Sequence, residues 1–382
     1  MKNNLPTTEK EIKPNTKPRH IVFTVVNDIT TDQRMQRISQ SLVTAGYNVT
    51  LIGRELPHSK PLGNYPFSVY RMRLWFERGK LFYIEYNLRL FYYLLRQSYD
   101  IYGAIDLDTI LPHYLVSRIK RKPMTYDAHE YFAELPEIVS RPLVRWAWKT
   151  LERIIVPRLR YVYTINQTYA DLFRQEYGID FAIVRNATVL RPLPELPTAS
   201  PVRYILYQGA VNVGRGVEEM IAAMPLIPDC MLYVCGKGDV YDQCVALSKN
   251  LGLSNRVIFF GWISPEQLRQ YTQNALLGFT FFSQQGKSYY YSLANRFFDY
   301  IHSGVPQLCV DFPEYRHINQ QYNVAVLLPD LQATTIAAAA NKLLQNPDEY
   351  ALLRQNCLIA RQTLNWQTEE KTLLQVYDAI DN

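Results

Sequence analysis

Cysteine is scarce in this chain, with five in 382 residues, at positions 230, 235, 244, 309 and 357. Their spacing fits neither a metal site nor a redox pair, so a disulfide scaffold and a zinc-held fold are excluded. Buried free thiols in a reducing cytoplasm are expected instead. No run of 18 apolar residues occurs, and no membrane-spanning helix is expected. Residues 1–18 lack the apolar centre of a signal peptide and read as a disordered leader. No short-period repeat and no long low-complexity block is present. Acidic residues are under-represented in one half only: residues 1–190 carry 27 Lys and Arg against 18 Asp and Glu, and residues 191–382 carry 14 against 17. A basic half favours anionic lipid, nucleic acid or phosphorylated substrates.

What is there is globular: 48% hydrophobic and 20% charged residues, in a chain long enough for two cores of ordinary size. Apolar runs at 20–26 and 48–53 flank an amphipathic stretch at 32–46. That is the strand–helix–strand opening of a doubly wound α/β sheet. Further strands are expected at 100–106, 123–128 and 161–166. Residues 181–201 turn proline-rich and read as a linker. A second series follows at 204–210, 230–236, 256–262, 276–282, 306–311 and 324–329. Two Rossmann-like units are therefore expected, at 19–187 and 188–365, with an amphipathic segment at 366–380 after them.

Two segments carry the chemistry. YQGAVNVGRGVEEMIAAM (207–224) runs from a strand through a glycine loop with one cation, Arg215, into a helix. SLANRFFDYIHSGVP (292–306) is a turn opening a helix with Asp299 in its second turn. A helix N-terminus plus a guanidinium suits a diphosphate, and a carboxylate one turn in suits sugar hydroxyls. Asp299 could instead pair with Arg296, three positions away on the same helix face. Arg215 could be a solvated cation, although a cation near a helix N-terminus is unfavourable without an anion. Gly236-Lys237-Gly238 closes another strand, and such glycines are often structural.

Both segments resemble the donor site of retaining GT-B glycosyltransferases, family four in particular. That family reads Pro-Asn-Lys-x-x-Glu-Tyr-x-x-x-Gly-x-Pro where this chain has Ala294-Asn295-Arg296-Phe297-Phe298-Asp299-Tyr300 and then Gly304-Val305-Pro306. The resemblance implies two Rossmann-like domains facing each other across a cleft, with the C-terminal helix crossing back to the first. It also implies transfer of a sugar, of hexosyl type, from a UDP-, GDP- or other nucleoside-diphosphate sugar, without metal or cofactor. Asp299 would hold the ribose and Arg215 would clamp the diphosphate. Gly209, Gly236 and Gly238 would let the nucleotide approach. Ser292, Leu293, Asn295 and Arg296 would offer backbone and side-chain donors. His129, at a strand end in TYDAHEYFAELPE (125–137), would close the site from the first domain, with Arg215 as its catalytic counterpart.

Two departures stand out. A second family Glu, eight positions before Asp299, is Tyr291 here, and a diphosphate Arg after the first glycine is Ala210, for which Arg296 is a candidate substitute. A sugar-nucleotide 2-epimerase or a non-catalytic binding module are the competing readings. Asp106, Asp108 and Asp127 are candidate metal ligands on chemistry alone. Residues 65–97 interleave Arg71, Arg73, Arg78, Lys80, Arg89 and Arg96 with aromatics. They read either as membrane-interface amphipathic helices or as a pair of ordinary packed helices. The expected partners are thus a nucleotide-sugar donor, a glycan or lipid-linked acceptor and an anionic membrane surface, without nucleic acid. The expected location is cytoplasmic, peripheral on the inner face of the membrane.

Overall fold

Short runs rich in Val, Ile, Leu and aromatics form parallel strands here because helices cover both faces of each sheet. The computed structural model describes residues 17–57, 59–193, 202–284 and 286–381. Residues 1–16 of the expected leader and residues 194–201 of the proline-rich stretch lie outside them. The first sheet holds β1 (His20–Thr24), β2 (Asn48–Arg54), β3 (Ser68–Met72), β4 (Ile101–Ile105), β5 (Met124–Ala128), β6 (Tyr161–Thr164) and β7 (Ala182–Ile183). Their order is β3-β2-β1-β4-β5-β6-β7. The second holds β8 (Tyr204–Gln208), β9 (Met231–Cys235), β10 (Val257–Gly261), β11 (Leu277–Thr280), β12 (Gln307–Val310) and β13 (Ala325–Leu328), in the order β10-β9-β8-β11-β12-β13.

Alternation along β1 sorts its side chains to two cores. Ile21 and Phe23 pack with helix Gln33–Thr44 and with Leu373 and Tyr377 of the last helix, Trp366–Asp381. Val22 packs on the other face with Phe82, Tyr86, Leu90 and Leu94 of helix Gly79–Arg96. The last helix is tied to the first half by Trp366, whose indole N–H donates to Ser41 at 3.0 Å, and by an Arg185–Glu369 pair at 3.1 Å. Residues 65–97 differ from the expected pair of helices. They form the edge strand β3 and then one helix, because Ser68–Met72 continues the ladder of β2.

Strand order reverses between β1 and β4 and again between β8 and β11. Ligands of open α/β sheets gather at such switch points, outside the strand C-termini. The loops leaving β1, β4 and β5, and those leaving β8, β9 and β11, lie at those ends. The halves touch there: Asn166 donates to the Tyr291 carbonyl at 2.8 Å, and Tyr169 donates to the Ser288 carbonyl at 3.0 Å.

Candidate active site

The first-half wall is built on Asp127, the penultimate residue of β5, fully buried. Arg34, from the first helix, grips it with two nitrogens at 2.9 and 3.1 Å, and His129 Nε2 lies at 2.9 Å. Burial alone would neutralise this carboxyl, but Arg34 and His129 hold it below the usual carboxylate range. His129 is held from its other side by Asp106, which accepts its backbone N–H at 2.8 Å and lies 3.5 Å from Nδ1. Burial opposes charge on the imidazole. Asp127 and Asp106 overcome it and raise His129 to about 10. Asp106 adopts a left-handed φ of 55°, which turns its carboxylate back over residues 129–130. Next in chain, Glu130 is raised above the usual carboxylate range, first by desolvation and then by Asp106, while His129 and Arg215 oppose the shift.

The second-half wall is a layer of aromatics carrying two guanidinium groups. Arg215 sits over the Phe282 and Tyr289 rings at 4.9 and 5.1 Å, and Arg296 over Tyr207 and Phe282 at 5.0 and 4.8 Å. Arg296 donates to the Phe281 carbonyl at 3.0 Å. Among the described residues neither forms an ion pair, and the Nε of each is buried without a partner. Two cations sharing one ring and held in no ion pair make a strong anion site. Gly209 lies beside it, since a Cβ there would stand 3.7 Å from Arg296 Nη1. Gly236 and Gly238 serve a different need: a Cβ on either would overlap the carbonyls of Gly209 and Val211, so both are required for loop-on-loop packing.

Helix Asn295–Ser303 begins after Ala294, which has no side chain able to cap it, and ends at Gly304 with φ 64°. Its first turn also lacks an acid. The dipole's positive end is therefore left unneutralised. The segment before it is itself structured. Lys287–Tyr290 is a helical turn, and Ser292 commits both its N–H and its hydroxyl to the Tyr289 carbonyl, at 3.2 and 2.9 Å. Leu293 is buried. Tyr291 stacks edge-on against Tyr290 at 4.9 Å.

Asp299 does not pair with Arg296. Its oxygens accept from Thr188 at 2.6 Å and from Gln208 at 2.8 Å, and Gln208 is oriented by Thr272 at 2.6 Å. Burial raises its pKa, while Thr188 and Arg37 oppose the rise. Arg37, from the first half, is itself lowered to about 10 by burial, and it donates to Asn186, which bonds Asn295 Oδ1 at 2.6 Å. Asn295 and Asp299 thus sit in a polar seam between the halves.

The structure accordingly brings Arg215, Arg296 and Gly209 together and faces them with Glu130, next to His129. It leaves Gly236, Gly238, Ser292 and Leu293 in packing or internal hydrogen bonds. Arg34, Arg37, Thr188 and Gln208 were not singled out by sequence, since nothing local marks a residue whose partner is 90 or more positions away. Among the described residues no group of three or more His, Cys, Asp and Glu is arranged to hold a metal ion.

Residues 33–188 match the family described as Glycosyltransferase Family 4, and residues 194–357 match Glycosyl transferases group 1. An uncharacterized glycosyltransferase of Methanocaldococcus jannaschii is 30% identical over 76 residues, 19% of this chain and 20% of that protein. The chain thus spans about a fifth of that curated relative's length. Sucrose-phosphate synthase of Thermosynechococcus elongatus is similar in structure with a TM-score of 0.81 at 18% identity, over 95% of this chain and 99% of that one. The Anabaena protein HepE, solved in complex with UDP and glucose, gives 0.74 at 14% identity, over 94% and 99%. At these identities the likeness is one of fold, two parallel sheets of seven and six strands in the GT-B arrangement. The two family matches between them take in both halves, and the chain belongs to the glycosyltransferases of Family 4 and group 1.

Proposed function

We propose that this enzyme transfers a sugar from a nucleoside-diphosphate donor to a glycan or lipid-linked acceptor, with retention and without a metal. The observation that carries the reading is the pair Arg215 and Arg296, stacked on one aromatic ring and, among the described residues, in no ion pair. A diphosphate brings the missing negative charge, and its charge grows as the bond to the sugar C1 breaks. Fixed cations in a water-poor site then stabilise the departing group more than the intact donor. The acceptor oxygen bonds to C1 from the same face, and its proton passes to an oxygen of the departing diphosphate. The uncapped helix at Asn295 adds its dipole.

Asp299 holds the ribose in this reading, since each of its oxygens keeps a lone pair beyond those given to Thr188 and Gln208. His129, raised to about 10 between two aspartates, is an imidazolium near neutral pH. It serves as a fixed positive charge on the first-half wall and not as a base. HepE was solved with UDP and glucose, which makes a UDP-sugar the first donor to try, ahead of GDP-, ADP- and dTDP-sugars in a thermal-shift screen. The buried, unpaired thiols fit a cytoplasmic enzyme.

Arg215→Ala tests the assignment. It should lower kcat by about 10²–10³, cut UDP affinity about tenfold and change UDP-sugar affinity least. Equal losses of UDP and UDP-sugar affinity with kcat intact would reduce Arg215 to a binding residue. Turnover should survive EDTA, and recovery only on adding Mg²⁺ or Mn²⁺ would overturn the metal-free reading.

A further inference from the structure

Helix Gly79–Arg96 is apolar on the side where a solvent-facing helix is ordinarily polar. Its inner residues Phe82, Tyr86, Leu90 and Leu94 are buried on the sheet. On the opposite side Leu81, Ile84, Leu88, Tyr92 and Leu95 are between 37 and 58% exposed. At 3.6 residues per turn these five fall within an arc of about 80°, one continuous stripe. Trp75, 84% exposed, stands just before the helix with Arg89 over its ring at 4.6 Å. Helix Leu107–Lys120 packs alongside and adds an outward row of Leu111, Leu115 and Ile119.

The charge on these two helices has one sign. They carry Lys80, Arg89, Arg96, Arg118 and Lys120, and only two acids. Neither acid reaches the face: Asp108 is buried, and Glu85 is held by Arg89 at 2.7 Å and by the N–H groups of Trp75 and Phe76 at 3.0 Å. Along the stripe runs a groove of about 770 Å³, lined by Arg71, Arg73, Arg89 and Arg96 together with Tyr92, and its one acid is Glu55. A guanidinium-lined groove beside an apolar ridge matches the order of groups in a lipid leaflet, phosphate outside and hydrocarbon within. A second copy of the chain fits poorly, because a self-complementary contact would bring this predominantly basic face against itself.

We propose that this face docks the first half on an anionic lipid bilayer, with the stripe at the hydrocarbon boundary and the arginine groove on lipid phosphates. β3 runs parallel to β1, β4 and β5 and finishes at the same C-terminal end of the sheet, so Trp75, three residues beyond it, marks the end of the patch on the side of the site loops.

Co-sedimentation of the full chain with vesicles tests this. Wild-type protein should pellet with phosphatidylglycerol-rich vesicles at low salt, and not with pure phosphatidylcholine. Arg73→Gln/Arg96→Gln should weaken binding about fivefold for each charge removed. Leu88→Ser/Tyr92→Ser should weaken it at least about tenfold. Both variants should keep wild-type unfolding temperature and donor hydrolysis, which separates lost docking from lost folding. Wild-type protein left in the supernatant with anionic vesicles overturns the proposal. So does equal binding to phosphatidylcholine, or a dimer in sedimentation velocity that Leu88→Ser/Tyr92→Ser dissociates.

Discussion

The two walls of the site handle charge in opposite ways. On the first-half wall Arg34, Asp127, His129 and Asp106 form a closed chain in which each formal charge touches an opposite one. On the second-half wall Arg215 and Arg296 have rings for neighbours and, among the described residues, no ion pair. A buried charge is tolerable when paired and costly when not. The paired wall orients a side chain and needs no ligand, whereas the unpaired wall is a standing cost that an incoming anion relieves. The same contrast runs over the surface: the first half exposes its apolar residues in stripes along adjacent helices, while in the second half they are scattered, as at Trp262 and Ile359.

Breaking the paired wall should have the largest effect. Arg34→Met leaves Asp127 fully buried with His129 as its remaining partner, and should cost about 3 kcal/mol in urea unfolding, with activity lost as His129 is released. A variant as stable as the wild type would mean that the pair does not organise that wall. A second effect on the same wall is expected from pH. His129 rises from an ordinary 6.5 in the unfolded chain to about 10 in the fold. Its contribution is therefore complete below 6.5 and is lost as pH climbs towards 10. Wild-type stability should decline across that window, and His129→Gln should flatten the decline. A parallel decline in the variant would assign the effect to another group.

Much of this was legible in the chain. All six strands of the second half lie within apolar runs bounded by turns, and the helix carrying Asp299 ends at the glycine that the sequence marks. Asn295, Arg296 and Asp299 stand out because a helix start concentrates their chemistry in a few residues. The closed chain on the other wall was not legible. Arg34 and Asp127 are 93 positions apart, and only the parallel pairing of β1, β4 and β5 brings their elements together. β3 was hidden by composition, since its Ser-Val-Tyr-Arg-Met alternation on a sheet edge differs little from an amphipathic helix start. The setting of Ser292 was not legible for a local reason, as the carbonyl of Tyr289, in a four-residue helical turn, takes both its N–H and its hydroxyl.

The most direct test of the unpaired wall is thermal unfolding of wild-type protein and Arg215→Met, each with and without UDP. Without UDP the variant should match the wild type within about 0.5 kcal/mol or exceed it, because it loses an unpaired cation and no ion pair. At UDP a hundredfold above the wild-type Kd, wild-type protein should gain about 2.7 kcal/mol. The variant should gain about 1.3 kcal/mol less, as a tenfold weaker site requires. A variant destabilised without UDP that still gains the full increment would show that Arg215 holds the fold and not the diphosphate.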